Sequence, residues 1–290
     1  MQPAPGLTFK SRRPRAIVRA MGDAPVTLEG WYVLHRMYAV DWPRWTSLPL
    51  AEQDVRVLEA TTLLETQAHP AEGHTACFSL LTHKGDLCLL HWRSDLESLR
   101  REEVAFERTG LAAFLQPTYS YLSVIELGTY ELGEHAAAML ERRGVARGSA
   151  GFDDALRAEM ERLARPRLFP EVPARRYMSF YPMSKRRGEQ VNWFDLPAEE
   201  RAQFMRGHGV IGRKYAGQVT QVISGSVGLY DWEWGVTLFA DDPLVFKKLV
   251  YEMRFDPASS RFALFGPFYT GIRFAASALG DVLRAGVPAR

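Results

Sequence analysis

The chain has 290 residues, 47% hydrophobic and 24% charged, with 36 basic against 34 acidic side chains for a formal net charge of +2. That balance suits a globular chain long enough for two domains, and it leaves no overall field to draw nucleic acid or anionic lipid, so anion recognition has to be local. Two cysteines, Cys77 and Cys88, and no run of about 18 apolar residues argue against a disulfide framework and a membrane-spanning helix.

The basic start, with Lys10, Arg12, Arg13, Arg15 and Arg19, lacks the apolar stretch of a secretory signal. Residues 1–25 read as a flexible basic tail, and a cytoplasmic location is the expectation. The first patterned unit, 26–132, opens with a strand over Gly30–Trp42 and a helix over Pro49–Gln67, its spacing carried by Val55, Leu58, Thr62 and Glu65. A hairpin follows, Thr75–Leu81 and Leu87–Trp92, turning at Lys84-Gly85-Asp86. Asp95 caps a second helix reaching about Leu115, and Pro117–Leu127 alternates as a closing strand. The order is β-α-β-β-α-β.

Residues 133–176 are charged and helical in composition, with a glycine-rich break at 148–151, and read as two short linking helices. The second unit, 177–290, repeats the order: strand Tyr177–Lys185, helix Pro197–Tyr215, hairpin Val219–Phe239, helix Pro243–Phe255 and strand Phe265–Phe274. Its first helix begins well, with Pro197 at the first turn and Glu199 and Glu200 near the positive end of the helix dipole. Little residue identity survives between the halves. The prediction is an α+β fold of two ferredoxin-like units, antiparallel sheets flanked by helices.

Seven histidines occur, and six of them, His35, His69, His74, His83, His91 and His135, lack ligand-like pairing and read as surface or satisfied core groups. His208 differs. It lies among Gly207, Gly209 and Gly212 in a helical segment, where each glycine costs about 1 kcal/mol relative to alanine. Either the glycines end the helix, or a large planar group approaches it closely. No partner at zinc-like spacing exists, whereas one histidine with open positions opposite suits a haem-type iron.

Residues two apart on a strand share a face, so Tyr181, Met183 and Lys185 look the same way over roughly 13 Å, near the width of a porphyrin. By the same rule Gln221, Ile223 and Gly225 share a face, with Gln221 the polar group above an open iron site. Arg167, Arg254, Ser259 and Lys185 are candidate carboxylate binders, although such groups taken singly are more often solvated at the surface. Trp193, Trp232 and Trp234 either wall a ring pocket or fill core.

At these residues the chain resembles the chlorite-dismutase-like superfamily, and most closely its coproheme decarboxylase branch. The resemblance runs through YPMSKRR (181–187), NWFDL (192–196), the HGVIGRKYAGQVTQVISGS run from His208, LYDWEWGVTLFADDPLVFKKLVYEMRF (229–255) and FGPFYTG (265–271). It covers the second half closely, the first half in architecture, and the tail not at all. The resemblance implies a homopentamer of two-repeat subunits with an iron porphyrin held by the second repeat and ligated by His208. It implies that iron coproporphyrin III is both substrate and cofactor, that hydrogen peroxide is the oxidant, and that two propionates leave as carbon dioxide to give haem b.

By position, Tyr181 matches the redox-active tyrosine and Lys185 the lysine that holds a reacting propionate. Arg167, Arg254 and Ser259 match propionate anchors and Trp232 a pocket tryptophan; Met183, on the strand face shared with Tyr181, is a further residue expected to bind the porphyrin. Transient contact with the iron-inserting ferrochelatase is a further expectation. Chlorite dismutases place an arginine thirteen residues after the proximal histidine; glutamine stands there, at Gln221, which disfavours chlorite conversion. Some related decarboxylases use a distal histidine, and no histidine follows His208. A haem carrier or sensor and, more distantly, a chlorite-degrading enzyme are the alternatives.

Overall fold

The structure is a computed structural model that describes residues 26–287; the basic tail read from the sequence lies outside them. The first repeat comprises β1 (Thr27–Val40), a short α1 (Trp42–Thr46), α2 (Leu50–Ala68), β2 (His74–Leu80), β3 (Leu87–Arg93), α3 (Leu96–Glu107) and β4 (Leu115–Gly128). Two helices follow, α4 (Thr129–Arg142) and α5 (Phe152–Leu168). The second repeat comprises β5 (Tyr177–Lys185), α6 (Ala198–Lys214), β6 (Val219–Gly225), β7 (Trp234–Ala240), α7 (Leu244–Met253), the single-turn α8 (Pro257–Ser260), β8 (Ala263–Phe265) and β9 (Tyr269–Phe274), with α9 (Leu279–Ala285) last.

Each repeat forms a four-stranded antiparallel sheet with its first strand central, β4-β1-β3-β2 and β6-β7-β5-β9. The sheets join edge to edge through β4–β6 and β2–β9, so eight strands close on themselves, with β8 added beside β5. Closure removes the exposed edges that two separate sheets would present.

Strand alternation sorts the side chains into two layers. Inside the barrel sit Phe78, Leu90, Trp92, Tyr121, Met178, Phe180 and Phe239. Outside, α2 and α3 cover Tyr38, Leu64, Cys77, Leu89 and Phe106, while Tyr181, Val236, Leu238, Phe246 and Leu249 lie in the outer layer beneath the second repeat's helices. Cys77 faces out and Cys88 in, because Cys77 pairs with Leu89 and Phe78 with Cys88; side chains on opposite faces cannot bridge.

Four expectations change in detail. The first helix forms as predicted, but Val55, Leu58, Thr62 and Glu65 are exposed and the buried face runs through Gln53, Ala60, Leu64 and Gln67. Trp42 leaves the first strand for α1, where Asp41 accepts from the Arg44 amide. The helix capped by Asp95 ends at Glu107 rather than near Leu115; the Thr109 hydroxyl turns back to the Phe106 carbonyl, and the Gly110 amide donates to Glu59. The linking helices are 14 and 17 residues long, and α5 joins the core through Ala164 and Leu168.

Candidate functional site

Between the outer face of the second sheet and its helices lies a cavity of about 640 Å³. β5 gives Tyr181, Met183 and Lys185 to its wall, as the period-2 argument requires, and β6 gives Gln221. The helical side gives His208, Met205, Leu249, Met253 and Ser259. Arg167 from α5 and Ile125 and Glu126 from β4 complete the wall, so the N-terminal half and the linking helices share in it. The lining is chiefly apolar with a few convergent polar groups, as small-molecule sites usually are.

His208 lies within α6, which continues to Lys214; the three glycines are interior and do not end the helix. None has a positive φ, and a Cβ at Gly207 would meet nothing within 4 Å. The imidazole is 28% exposed, and its Nδ1 lies 2.8 Å from Oδ2 of Asp256, which is 2% exposed. That carboxylate oxygen also accepts from the Ser259 amide at 3.2 Å and hydroxyl at 3.3 Å. A carboxylate acting as acceptor fixes the proton on Nδ1, leaving the Nε2 lone pair for a metal.

Asp256 and Pro257 begin α8 in the manner of a capped helix start. The same turn holds a second side chain of the cavity wall. Lys185 Nζ donates to the Ala258 carbonyl at 2.9 Å and sits 4.4 Å from the Trp193 ring centroid. Burial lowers the Lys185 pKa to about 8, against the opposing pull of Asp256 and Glu233. Glu233 also accepts from the Lys185 amide at 2.7 Å, tying down the strand end. One turn of helix thus anchors both the imidazole and the ammonium.

Tyr181 is 8% exposed and stacks on Phe268 with ring centroids 4.4 Å apart. Burial pushes its phenol pKa upward, only partly offset by Arg254, so the hydroxyl stays protonated. An oxidisable phenol kept neutral at a cavity wall can exchange a hydrogen atom with a bound molecule.

Two of the expected residues lie beside this lining rather than in it. Trp232 is not in the cavity lining: it lies in the bend before β7, outside the strand alternation, and opens onto a neighbouring surface groove with Arg186, Arg187 and Lys185. Trp193 and Trp234 line the cavity instead. Arg254 also stays out of the wall, its guanidinium 4.2 Å from the centroid of Phe265, a lining ring. Arg167, Met183, Ser259 and Gln221 do line it.

Asp256, Glu126 and Ile125 escaped the sequence reading. Asp256-Pro257 is legible as a helix start, but its reach to a histidine 48 residues away is not. Of the six remaining histidines, His35 and His91 are fully buried; burial lowers each pKa to about 3, so both are neutral. Among the described residues no group of three or more histidine, cysteine and carboxylate side chains could hold a metal ion.

The barrel and cavity define a protein of the chlorite dismutase family, whose sequence model matches residues 54–274; the chain belongs to that family. Among its relatives is the coproheme decarboxylase of Staphylococcus saprophyticus, 44% identical over 254 residues, which cover 87% of this chain and 94% of the relative. A Natronomonas pharaonis protein provisionally named for heme binding is 44% identical over 266 residues, 90% of this chain and 42% of the relative. The chain spans about half the length of that protein and of others like it.

Among solved structures, a heme-binding protein from Thermus thermophilus superposes with a TM-score of 0.77 at 40% identity, covering 91% of this chain and 98% of its own. A chlorite dismutase from Candidatus Nitrospira defluvii gives 0.68 at 19% identity, over 88% and 96%, and speaks for the fold alone.

Proposed function

We propose that the chain is a coproheme decarboxylase, acting on iron coproporphyrin III with hydrogen peroxide to give haem b. The observation that carries this is the meeting of His208, Tyr181 and Lys185 on one cavity. The site fits the group: a mostly apolar volume for the ring, an imidazole whose Nε2 lone pair is left free by Asp256, and Lys185 and Arg167 for carboxylates. His208 would hold the iron, and Lys185, Arg167 and Ser259 the propionates. The porphyrin site belongs to 177–290, walled in part by the first repeat (26–132) and by 133–176.

Iron, when bound, supplies the two-electron reduction of peroxide. The chain's residues do the rest. Lys185 holds one propionate carboxylate and so fixes its β-carbon. Tyr181, having given up one electron and its phenolic proton, takes a hydrogen atom from that carbon and is restored as a phenol. Loss of a second electron releases the carboxylate as carbon dioxide and leaves a vinyl group. The balance is one propionate, one peroxide and one proton to one vinyl, one carbon dioxide and two waters, performed twice. Gln221, a neutral amide on β6, hydrogen-bonds without offering the positive charge that would retain an oxychlorine anion.

Purified protein incubated with ferric coproporphyrin III and stepwise peroxide should lose the mass of two carboxylates in two stages, followed by chromatography and mass spectrometry. Unchanged substrate overturns the reading. A heme carrier is the second reading, favoured by the names of several relatives; it predicts a bound porphyrin that keeps all its propionates under peroxide. Assembly into a homopentamer belongs to the same proposal and is checked by native mass.

A further inference from the structure

Glu126 lines the cavity and has no part in the decarboxylation proposed for Tyr181, Lys185 and His208. It comes from β4 of the first repeat and lies over β6: a Cβ at Gly225 would stand 2.0 Å from Glu126 Oε2. Gly225 has no positive φ, so backbone conformation does not demand glycine there; any side chain at that position would push the Glu126 carboxyl off its seat. Trp234 Nε1 donates to Oε1 at 2.8 Å, and Oε2 has no protein hydrogen bond among the described residues.

A glutamine would accept the same indole proton without the cost of burying an acid. Burial raises the Glu126 pKa, and Glu29 adds to the rise, while the Trp234 bond opposes it. The titratable groups around the carboxyl are Glu29, its cross-strand partner on β1, and Tyr121 on β4 itself; Arg167 from α5 lines the same cavity. β6 offers none, and β7 offers the non-titrating Trp234. A carboxyl with a raised pKa in a ligand cavity is suited to proton transfer. Gln221, on the same β6 face as Gly225, is an amide and holds no exchangeable acid proton of this kind.

We propose that Glu126 is the proton acceptor of the cavity. A small neutral acid of the hydrogen peroxide or hydrogen cyanide class enters uncharged and gives its proton to the Glu126 carboxylate as it binds as the anion. One bond to hydrogen breaks in the ligand, one O–H bond forms on Glu126, and the electron pair stays with the anion. This rests on the porphyrin reading, since the anion needs the iron to receive it.

Two measurements test it. In the ligand-free protein, infrared difference spectra between acid and alkaline pH should show a protonated carboxyl band that Glu126→Gln removes and whose midpoint Trp234→Phe moves upward. With ferric coproporphyrin III bound, cyanide should associate about 100-fold more slowly in Glu126→Gln at neutral pH, within the range a positioned proton acceptor supplies. Trp234→Phe, which keeps the carboxyl, should shift the pH profile of that rate upward, a change that mere loss of packing would not give. Porphyrin bound normally with a cyanide rate indifferent to Glu126→Gln overturns this inference alone. Failure to bind the porphyrin overturns it together with the reading it rests on.

Discussion

Tyr181 and Lys185 differ in what burial does to them. For the phenol it disfavours the anion, so the hydroxyl is retained; for the amine it disfavours the cation, bringing the pKa down to about 8 from 10.5. Tyr181→Phe should keep ferric coproporphyrin III bound, since the ring still stacks on Phe268, but lose decarboxylation; optical titration and mass spectrometry separate the two. For Lys185, the ammonium needed to hold a carboxylate dominates below about 8 and is lost above it. Coproporphyrin affinity should therefore be steady up to about pH 8 and fall beyond, a fall absent in Lys185→Met. The linked stability runs the other way. The unfolded chain binds this proton more tightly, so the ligand-free fold gains stability as pH rises from about 8 towards 10.5.

At the same scale Asp256→Asn keeps the shape of the α8 start while weakening the acceptor for His208 Nδ1–H. Loss of such an outer partner costs about 10-fold to 100-fold in metal affinity, measurable as a weaker hemin dissociation constant and an altered optical spectrum.

Among elements, α8 is short yet fixes two side chains of the cavity wall, and α5 does more than connect. Leu168 packs so closely on β1 that a Cβ at Gly30 would lie 2.0 Å from the Leu168 carbonyl oxygen. Gly30→Ala should therefore cost about 1–3 kcal/mol, read as a lower midpoint in denaturant unfolding, with loss of porphyrin affinity because α5 also carries Arg167. The exposed positions of α2, Val55, Leu58, Thr62 and Glu65, show how a helical spacing can mark a helix correctly and still mislead about its buried face. The real inward face is built on Ala60 and Leu64 with two glutamines, Gln53 and Gln67, whose amides bond to backbone carbonyls.

For the whole molecule, the eight-stranded closure makes the halves interdependent. Both edges of the second sheet are satisfied by the first, through β4–β6 and β2–β9. A fragment of residues 177–290 alone would expose both edges and lose the cavity wall formed by Ile125, Glu126 and Arg167. It should aggregate or fail to bind hemin where the full chain binds it, as size-exclusion chromatography and optical titration would report. Among the described residues no helix is long and apolar enough to cross a membrane.

The repeat order, the strand that aims Tyr181, Met183 and Lys185 together, and the singular position of His208 were legible in the sequence, because period-2 alternation and helix-start chemistry are local. Tertiary structure alone decided that the sheets close on each other, that Trp234 rather than Trp232 faces the cavity, and that Asp256 and Glu126 reach it. Those facts depend on residues far apart in the chain meeting in space. Strand register and side-chain packing settle such meetings, and no local pattern encodes them.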